Sequence, residues 1–152
     1  APNAFGLVGE DANAIAPGKR PLSSMSPSIL VGPERTAILG TPGGSRIISM
    51  VILGLLNLID GGGAQATAEL PRYHHQYLPD AIAVEPNALG DEEIEALKQR
   101  GHAIDTVQRP WGNMQVVLWN RETGAVEAGT DKRWGDVGKA ADGEGDSESI
   151  FR

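Results

Sequence analysis

Residues 41–59 read TPGGSRIISMVILGLLNLI. Two adjacent glycines, Gly43 and Gly44, stand at the mouth of a run in which only Ser49, Gly54 and Asn57 interrupt the large apolar side chains. A helix that is apolar almost all round is buried on most of its sides. The run is too short to cross a membrane, which takes roughly 20 apolar residues. It therefore predicts a core helix from Gly44 to about Asp60. Gly61-Gly62-Gly63 follows, and a glycine just past the last turn supplies a left-handed cap.

Working outward, Ser28–Val31 and Thr36–Leu39 are short apolar runs separated by the turn signature Gly32-Pro33-Glu34-Arg35. Neither alternates, as expected of strands buried on both faces. A buried hairpin feeding a buried helix predicts a layered α/β structure. Residues 1–27 are rich in Gly, Pro, Asn and Ser and read as loop; loops of that length tend to be functional or cut from their context. Downstream, the pattern predicts a short helix over Ala64–Glu69 and a strand over Ala81–Glu85. It then predicts a helix over Asp91–Arg100, acidic in its first turn, basic in its last and stopped by Gly101. A strand at His102–Val107 and a second hairpin, Met114–Trp119 with Ala125–Ala128, complete the reading.

The chain has 152 residues, 40% of them apolar, enough for one domain with a real core. A formal charge of −7 argues against a nucleic-acid partner, since phosphate binding needs a basic face. There is no cysteine, which removes disulfides, thiolate nucleophiles and cysteine-based zinc sites. The same absence fits the cytosol or an oxidising compartment. The chain starts Ala1-Pro2 without Met, as expected of a processed product or a fragment.

Gly43-Gly44 lies between a predicted strand and helix. Unpaired N–H groups at a helix start carry partial positive charge, so the turn suits an anion or a developing oxyanion. Taken alone, the dipeptide reads more readily as a tight turn that needs glycine for steric reasons only. In PLSSMSP, residues 21–27, Ser23 and Ser24 sit on a loop stiffened by two prolines. Paired hydroxyls there can donate to a carboxylate, or can simply make a Ser-rich turn. No G-x-S-x-G elbow marks a serine nucleophile. His74-His75 are adjacent and do not converge on one ion, so no metal site is assigned. His102 reads as structural, and Trp111, Trp119 and Trp134 as core or rim. Asp131-Lys132-Arg133 reads either as a surface ion pair of small value or as a tie between the last strand and a neighbouring loop.

GLVGEDANAIAPGKRPLSSMSPSILV and ILGTPGGSRI together resemble the small subunit of the gamma-glutamyltransferases, or gamma-glutamyltranspeptidases, which are N-terminal-nucleophile hydrolases. LPRYHHQYLPD, GNMQVV and, more loosely, GTDKRWGDVG extend the likeness over residues 5–138. The family usually has an Asp-Pro-Arg-type sequence where this chain has Asp131-Lys132-Arg133. The resemblance implies part of a four-layer αββα sandwich, with residues 1–138 the C-terminal portion of the small subunit and 139–152 a flexible tail. It implies that Ser23 and Ser24 hold the α-carboxylate of a gamma-glutamyl group, with Met25 lining the pocket. It also implies that Gly43 and Gly44 form an oxyanion hole through their backbone N–H groups.

The family nucleophile is an N-terminal threonine that opens a Thr-Thr-His-like sequence. The threonines here, at 36, 41, 67, 106, 123 and 130, are all internal and none matches that motif. An internal threonine lacks the free amine that would serve as its base. The resemblance thus implies a chain that contributes to acyl transfer without supplying the nucleophile, and that is inactive alone. Its implied partners are the rest of the enzyme, including a large subunit, and a gamma-glutamyl small molecule, with no cofactor and no membrane span. The implied location is the periplasm or the extracellular space. Two rival readings are a cephalosporin-acylase-like amidohydrolase and a non-catalytic structural or interaction module.

Overall fold

The computed structural model describes residue 11 and residues 14–134. The tail expected at 139–152 lies outside the described residues. In chain order the elements are β1 (Ser28–Val31), β2 (Arg35–Gly40), α1 (Ile47–Ile59), α2 (Ala64–Glu69), β3 (Tyr73–His74), β4 (Ile82–Val84), α3 (Asp91–Gln99), β5 (Ile104–Thr106), β6 (Gln115–Asn120) and β7 (Val126–Thr130). A 3-10 turn, Gly44–Arg46, leads into α1, so the predicted helix divides in two. Residues 14–27 hold no strand or helix. The class is α/β, as the sequence predicts.

Four strands form an antiparallel sheet in the order β1-β2-β6-β7. The other three form a small sheet, β3-β4-β5, with β4 and β5 parallel and α3 as their crossover. The two-residue strand β3 was not foreseen, being too short for any periodicity to show. In the larger sheet, Ala37, Leu39, Val116 and Leu118 face α1 and α2 and make the core with Met50, Val51 and Leu58. Gly54 lets α1 settle onto the sheet: a Cβ there would lie 2.8 Å from Leu39 Cδ1. The helix ends in the glycine cap expected of it. Gly61 has φ 96°. Gly62 N–H donates to Asn57 O and Gly61 N–H to Leu58 O, the paired bonds of a Schellman motif. Arg35 reaches across from β2 to donate to the Leu58 carbonyl, favourably placed at the negative end of the helix.

One expectation is corrected. Both faces of the first hairpin were expected to be buried, and only one is. Ile29, Val31, Ile38, Val117, Trp119 and Val126 share the opposite face, where Ile38 is 51% and Trp119 46% exposed. Helix α1 likewise shows an outer ridge of Ile48, Ile52, Leu56 and Ile59. The unbroken apolar runs encode two covered sides, and among the described residues only one covering layer is present.

Helix α2 lies against the edge strand β7. The Gln65 amide donates to Thr130 O at 2.9 Å and accepts from Thr130 N–H at 3.3 Å, taking the place of a neighbouring strand. The approach depends on Gly129, where an added Cβ would sit 2.2 Å from the Ala64 carbonyl oxygen. Backbone cannot yield as a side chain does. Gly129→Ala is therefore expected to destabilise the protein by about 3 kcal/mol, the upper end of overpacking costs. Denaturant unfolding of the variant would measure this, and an unchanged midpoint would show that α2 is free to move off the strand.

Candidate active site

At one end of the larger sheet, three chain segments lie side by side. The loop before β1 carries residues 22–25, the turn after β2 carries residues 40–44, and the segment before β6 carries Asn113 and Gln115. Together with Ile47 they line one cavity of about 650 Å³, within the range of small-molecule sites. Ser23, Ser24, Met25, Gly43 and Gly44, singled out from separate stretches of sequence, therefore border the same space.

The glycine turn needs its glycines for conformation. Gly43 has φ 151° and Gly44 φ 61°, both unfavourable for a side chain. Their surroundings differ. A Cβ on Gly43 would fall 2.4 Å from Met50 Cε, whereas one on Gly44 would meet nothing within 4 Å. No described residue accepts a hydrogen bond from the N–H of either glycine. Among the described residues the turn thus presents unpaired amide donors just ahead of α1, where the helix dipole favours negative charge.

The two serines are not equivalent. Ser23 Oγ accepts from Met25 N–H at 3.2 Å, which leaves its own proton free to donate. Ser24 Oγ donates to the Gly44 carbonyl at 2.5 Å. That bond joins the serine loop to the glycine turn, a link no motif in the sequence expresses. It also qualifies the expectation of two free hydroxyls, because the Ser24 proton is engaged here. Met25 lies largely open at the rim.

Asn113 and Gln115 were missed as site residues. The sequence signal was GNMQVV, a Gly-Asn step running into a strand, but nothing local says which end of the sheet it meets. Gly112 has φ 83°, and a Cβ there would lie 2.5 Å from Met50 Sδ and 2.7 Å from an Arg72 nitrogen. Asn113 N–H donates to Thr41 Oγ1 at 3.0 Å, which pins it beside the glycine turn.

This segment is held from behind by buried charge. Arg72 is 1% exposed. It donates to Asp131 Oδ2 and Ala68 O, each at 2.8 Å, and to the Trp111 carbonyl. Arg133 donates to Asp131 Oδ2 at 2.7 Å and to Glu85 Oε2 at 2.8 Å. Glu85 in turn accepts from the backbone N–H of Arg72 and of Trp111. Of the two readings of Asp131-Lys132-Arg133, the structure bears out the tie: Asp131 is fully buried. Burial works to raise the Asp131 pKa. The Arg133 N–H and the two guanidinium groups outweigh it, leaving the carboxyl below its ordinary value. Burial, and then Arg133, lower the pKa of Arg72 from its usual value. Lys132 differs, pairing at the surface with Glu69 at 2.9 Å.

The histidines point to separate partners. His74 is buried, with Nδ1 2.8 Å from Ser49 Oγ and Nε2 2.9 Å from Gln76 Oε1. His75 pairs with Asp80 at 2.9 Å. His102 precedes β5 and is exposed. Trp111 is buried beneath Arg46, whose guanidinium carbon sits 4.9 Å from the ring centroid, and Trp119 lies on the open sheet face. No helix among the described residues is long and apolar enough to cross a membrane.

Known proteins resemble this chain strongly. Residues 1–141 match the family model described as gamma-glutamyltranspeptidase. The glutathione hydrolase proenzyme of Escherichia coli K12 is 44% identical over 120 residues, which cover 77% of this chain and 20% of that protein. The glutathione hydrolase proenzyme of Pseudomonas aeruginosa is 40% identical over 140 residues, covering 90% of this chain and 25% of that one. The solved gamma-glutamyltranspeptidase of Pseudomonas nitroreducens, complexed with L-DON, superposes with a TM-score of 0.77 at 38% identity, over 93% of this chain and 75% of that chain. This chain thus spans 20–25% of the length of these two curated relatives.

The charge cluster behind the cavity makes a prediction. Asp131→Ala leaves Arg72 and Arg133 facing each other without their shared carboxylate. Breaking a buried pair from one side costs about 3–5 kcal/mol, so the variant is expected to unfold at a much lower denaturant concentration. The same carboxyl sets an acid limit. Its folded pKa is depressed, so its contribution is complete above the unfolded carboxyl pKa of about 3.9. That contribution is lost as pH falls through the lower folded value. Stability measured from pH 7 down to pH 2 should drop in that acid window for the native protein. The drop should be smaller for Asp131→Ala, and equal slopes would exclude Asp131 as its source.

Proposed function

The chain belongs to the gamma-glutamyltranspeptidase family, and from that premise we propose that it forms two walls of an acyl-transfer site within a larger enzyme. The substrate is a gamma-glutamyl amide such as glutathione, and the acyl group passes to water or to the amine of an amino acid or peptide. The observation that carries this reading is one cavity bordered by the serine loop and by Gly43 and Gly44, whose amides have no acceptor among the described residues.

The chemistry follows from these groups. A nucleophile supplied by the remainder of the enzyme adds to the scissile carbonyl. The carbonyl oxygen gains negative charge, and the Gly43 and Gly44 N–H groups donate to it. As the tetrahedral centre collapses, the C–N bond breaks and the amine leaves with a proton. Water or an acceptor amine then attacks the acyl-enzyme through the same oxyanion. Each donor in such a hole contributes about 2.7–4 kcal/mol to the transition state. At the other end of the substrate, Ser23 donates its free proton to the α-carboxylate, Ser24 does so by exchanging the Gly44 carbonyl for it, and Met25 lines the pocket. The proposal calls for no metal or organic cofactor.

The remainder of the enzyme has a further place in this reading. The open apolar sheet face takes the second sheet of an αββα sandwich, and the α1 ridge packs under an outer layer that includes the large subunit. The family resemblance puts the enzyme in the periplasm or outside the cell, and a chain without cysteine is compatible with either place.

Three variants of the complete enzyme test the proposal. Gly44→Val puts a β-branched side chain at φ 61°, which strains the turn and displaces its amide. Its kcat is expected to fall by about 10²–10³ with some loss of thermal stability, while circular dichroism of the folded enzyme keeps the native secondary structure. Wild-type turnover in that variant would remove the glycines from the mechanism. Ser23→Ala deletes a hydrogen bond to a charged group and is expected to raise KM by roughly 10–100-fold; an unaltered KM would move the carboxylate elsewhere. Ile38→Glu, on the open face, is expected to prevent assembly with the rest of the enzyme. Size-exclusion chromatography that showed intact assembly would mean that this face is not covered.

A further inference from the structure

Two residues of the GNMQVV segment, Asn113 and Gln115, line the cavity. We propose that Asn113 is a specificity-determining residue. Its amide donates to a carbonyl or carboxylate oxygen of the leaving peptide or the acceptor, held in that orientation by a relay from Thr130 through Gln115. The inference rests on the acyl-transfer reading above and adds the part of the substrate that lies beyond the scissile bond.

Position comes first. Along this end of the sheet the strand order is β1-β2-β6, with Gly40 of β2 paired to Gln115 of β6 and Leu39 of β2 paired to Ser28 of β1. The serine loop therefore lies on the β1 side, the glycine turn in the middle and Asn113 on the β6 side. A substrate with its carboxylate at the serines and its scissile carbonyl at the glycines places its leaving amine towards β6. In a gamma-glutamyl peptide that amine carries a peptide carbonyl and a carboxylate. An acceptor amino acid entering from the same side carries a carboxylate too.

Orientation comes second. The Thr130 hydroxyl belongs to a residue only 4% exposed and donates to Gln115 Oε1 at 2.9 Å. With the hydroxyl donating, the Gln115 amide is turned so that its Nε2 donates to Asn113 Oδ1, also at 2.9 Å. Turning both amides over would leave the Thr130 hydroxyl proton without its acceptor. With Oδ1 engaged, Asn113 presents Nδ2, a donor only, and no described residue accepts from it. The backbone beneath is fixed as well. Asn113 N–H is bonded to Thr41 Oγ1, and Gly112 is wedged against Met50 and Arg72. A donor presented from a pinned backbone selects an oxygen acceptor over an apolar leaving group.

The test compares two substrates on the complete enzyme. A gamma-glutamyl dipeptide amide of glutathione type offers carbonyl and carboxylate oxygens beyond the scissile nitrogen; gamma-glutamyl-p-nitroanilide offers neither. In Asn113→Ala the ratio of kcat/KM for the peptide over the anilide is expected to fall about tenfold, the scale of one hydrogen bond. Gln115→Leu should shift the same ratio in the same direction by freeing the Asn113 amide to rotate. The double variant should lose little more than Asn113→Ala alone, since both act through one group. A merely structural role would lower both substrates together, and equal losses, or an unmoved ratio, would overturn the inference alone. Failure of the wild-type enzyme on both compounds would instead overturn the acyl-transfer reading, and this inference with it.

Discussion

The arrangement depends on one buried carboxylate. Asp131 has no exposure, yet it is charged, because two guanidinium groups and backbone N–H donors from Arg133 and Met114 converge on its oxygens. Taking such a group from water is costly, and only near-complete pairing offsets the loss. The pairing is what joins the pieces. Arg72 reaches back to the end of α2 and forward to the Trp111 carbonyl, while Arg133 ties in Glu85 beyond β4. The segment that brings Gly112 and Asn113 to the cavity is thereby fastened to the helix layer on one side and the small sheet on the other. Losing one member would leave a buried charge uncompensated, so the cluster holds these segments in one arrangement beside the cavity.

From that anchor the larger sheet acts as a platform with one working end. Strands β1, β2 and β6 all have a connecting segment there, and each connection is held by something specific. Ser24 ties the first to the second through the Gly44 carbonyl, and Thr41 ties the second to the third through Asn113 N–H. The amides of the glycine turn have no such duty among the described residues. They stand where a strand becomes a helix, at the positive end of the dipole, with space in front of Gly44.

Much of this was legible in the residues. The run from Ile47 to Ile59, its glycine cap, the two hairpins and the acid-to-base gradient of α3 all follow from period, punctuation and end charge. Those are local signals, and local structure obeys them. What the sequence lost was relational. The apolar runs announced two covered faces, but only the fold shows which face is left open among the described residues. Asp131 looked like either a surface charge or a tie, because burial is decided by residues far along the chain: Arg72 lies 59 positions away. Asn113 and Gln115 were invisible as site residues for the same reason, since their neighbour Thr41 is 72 positions from Asn113. The Ser24 proton was expected to be available, and only geometry reveals that it is engaged.

If the serine loop binds substrate as proposed, that engaged proton bears on what it can discriminate. A ligand oxygen reaching Ser24 does not find a vacant donor; it must displace the Gly44 carbonyl, so one hydrogen bond is exchanged for another of the same kind. A neutral amide oxygen gains almost nothing by the swap. An ionised oxygen gains the difference, since charge-assisted bonds are roughly twice as strong as neutral ones. On the proposed reading the Gly44 carbonyl is thus an internal competitor for the Ser24 proton, one that an ionised ligand oxygen displaces more readily than a neutral one.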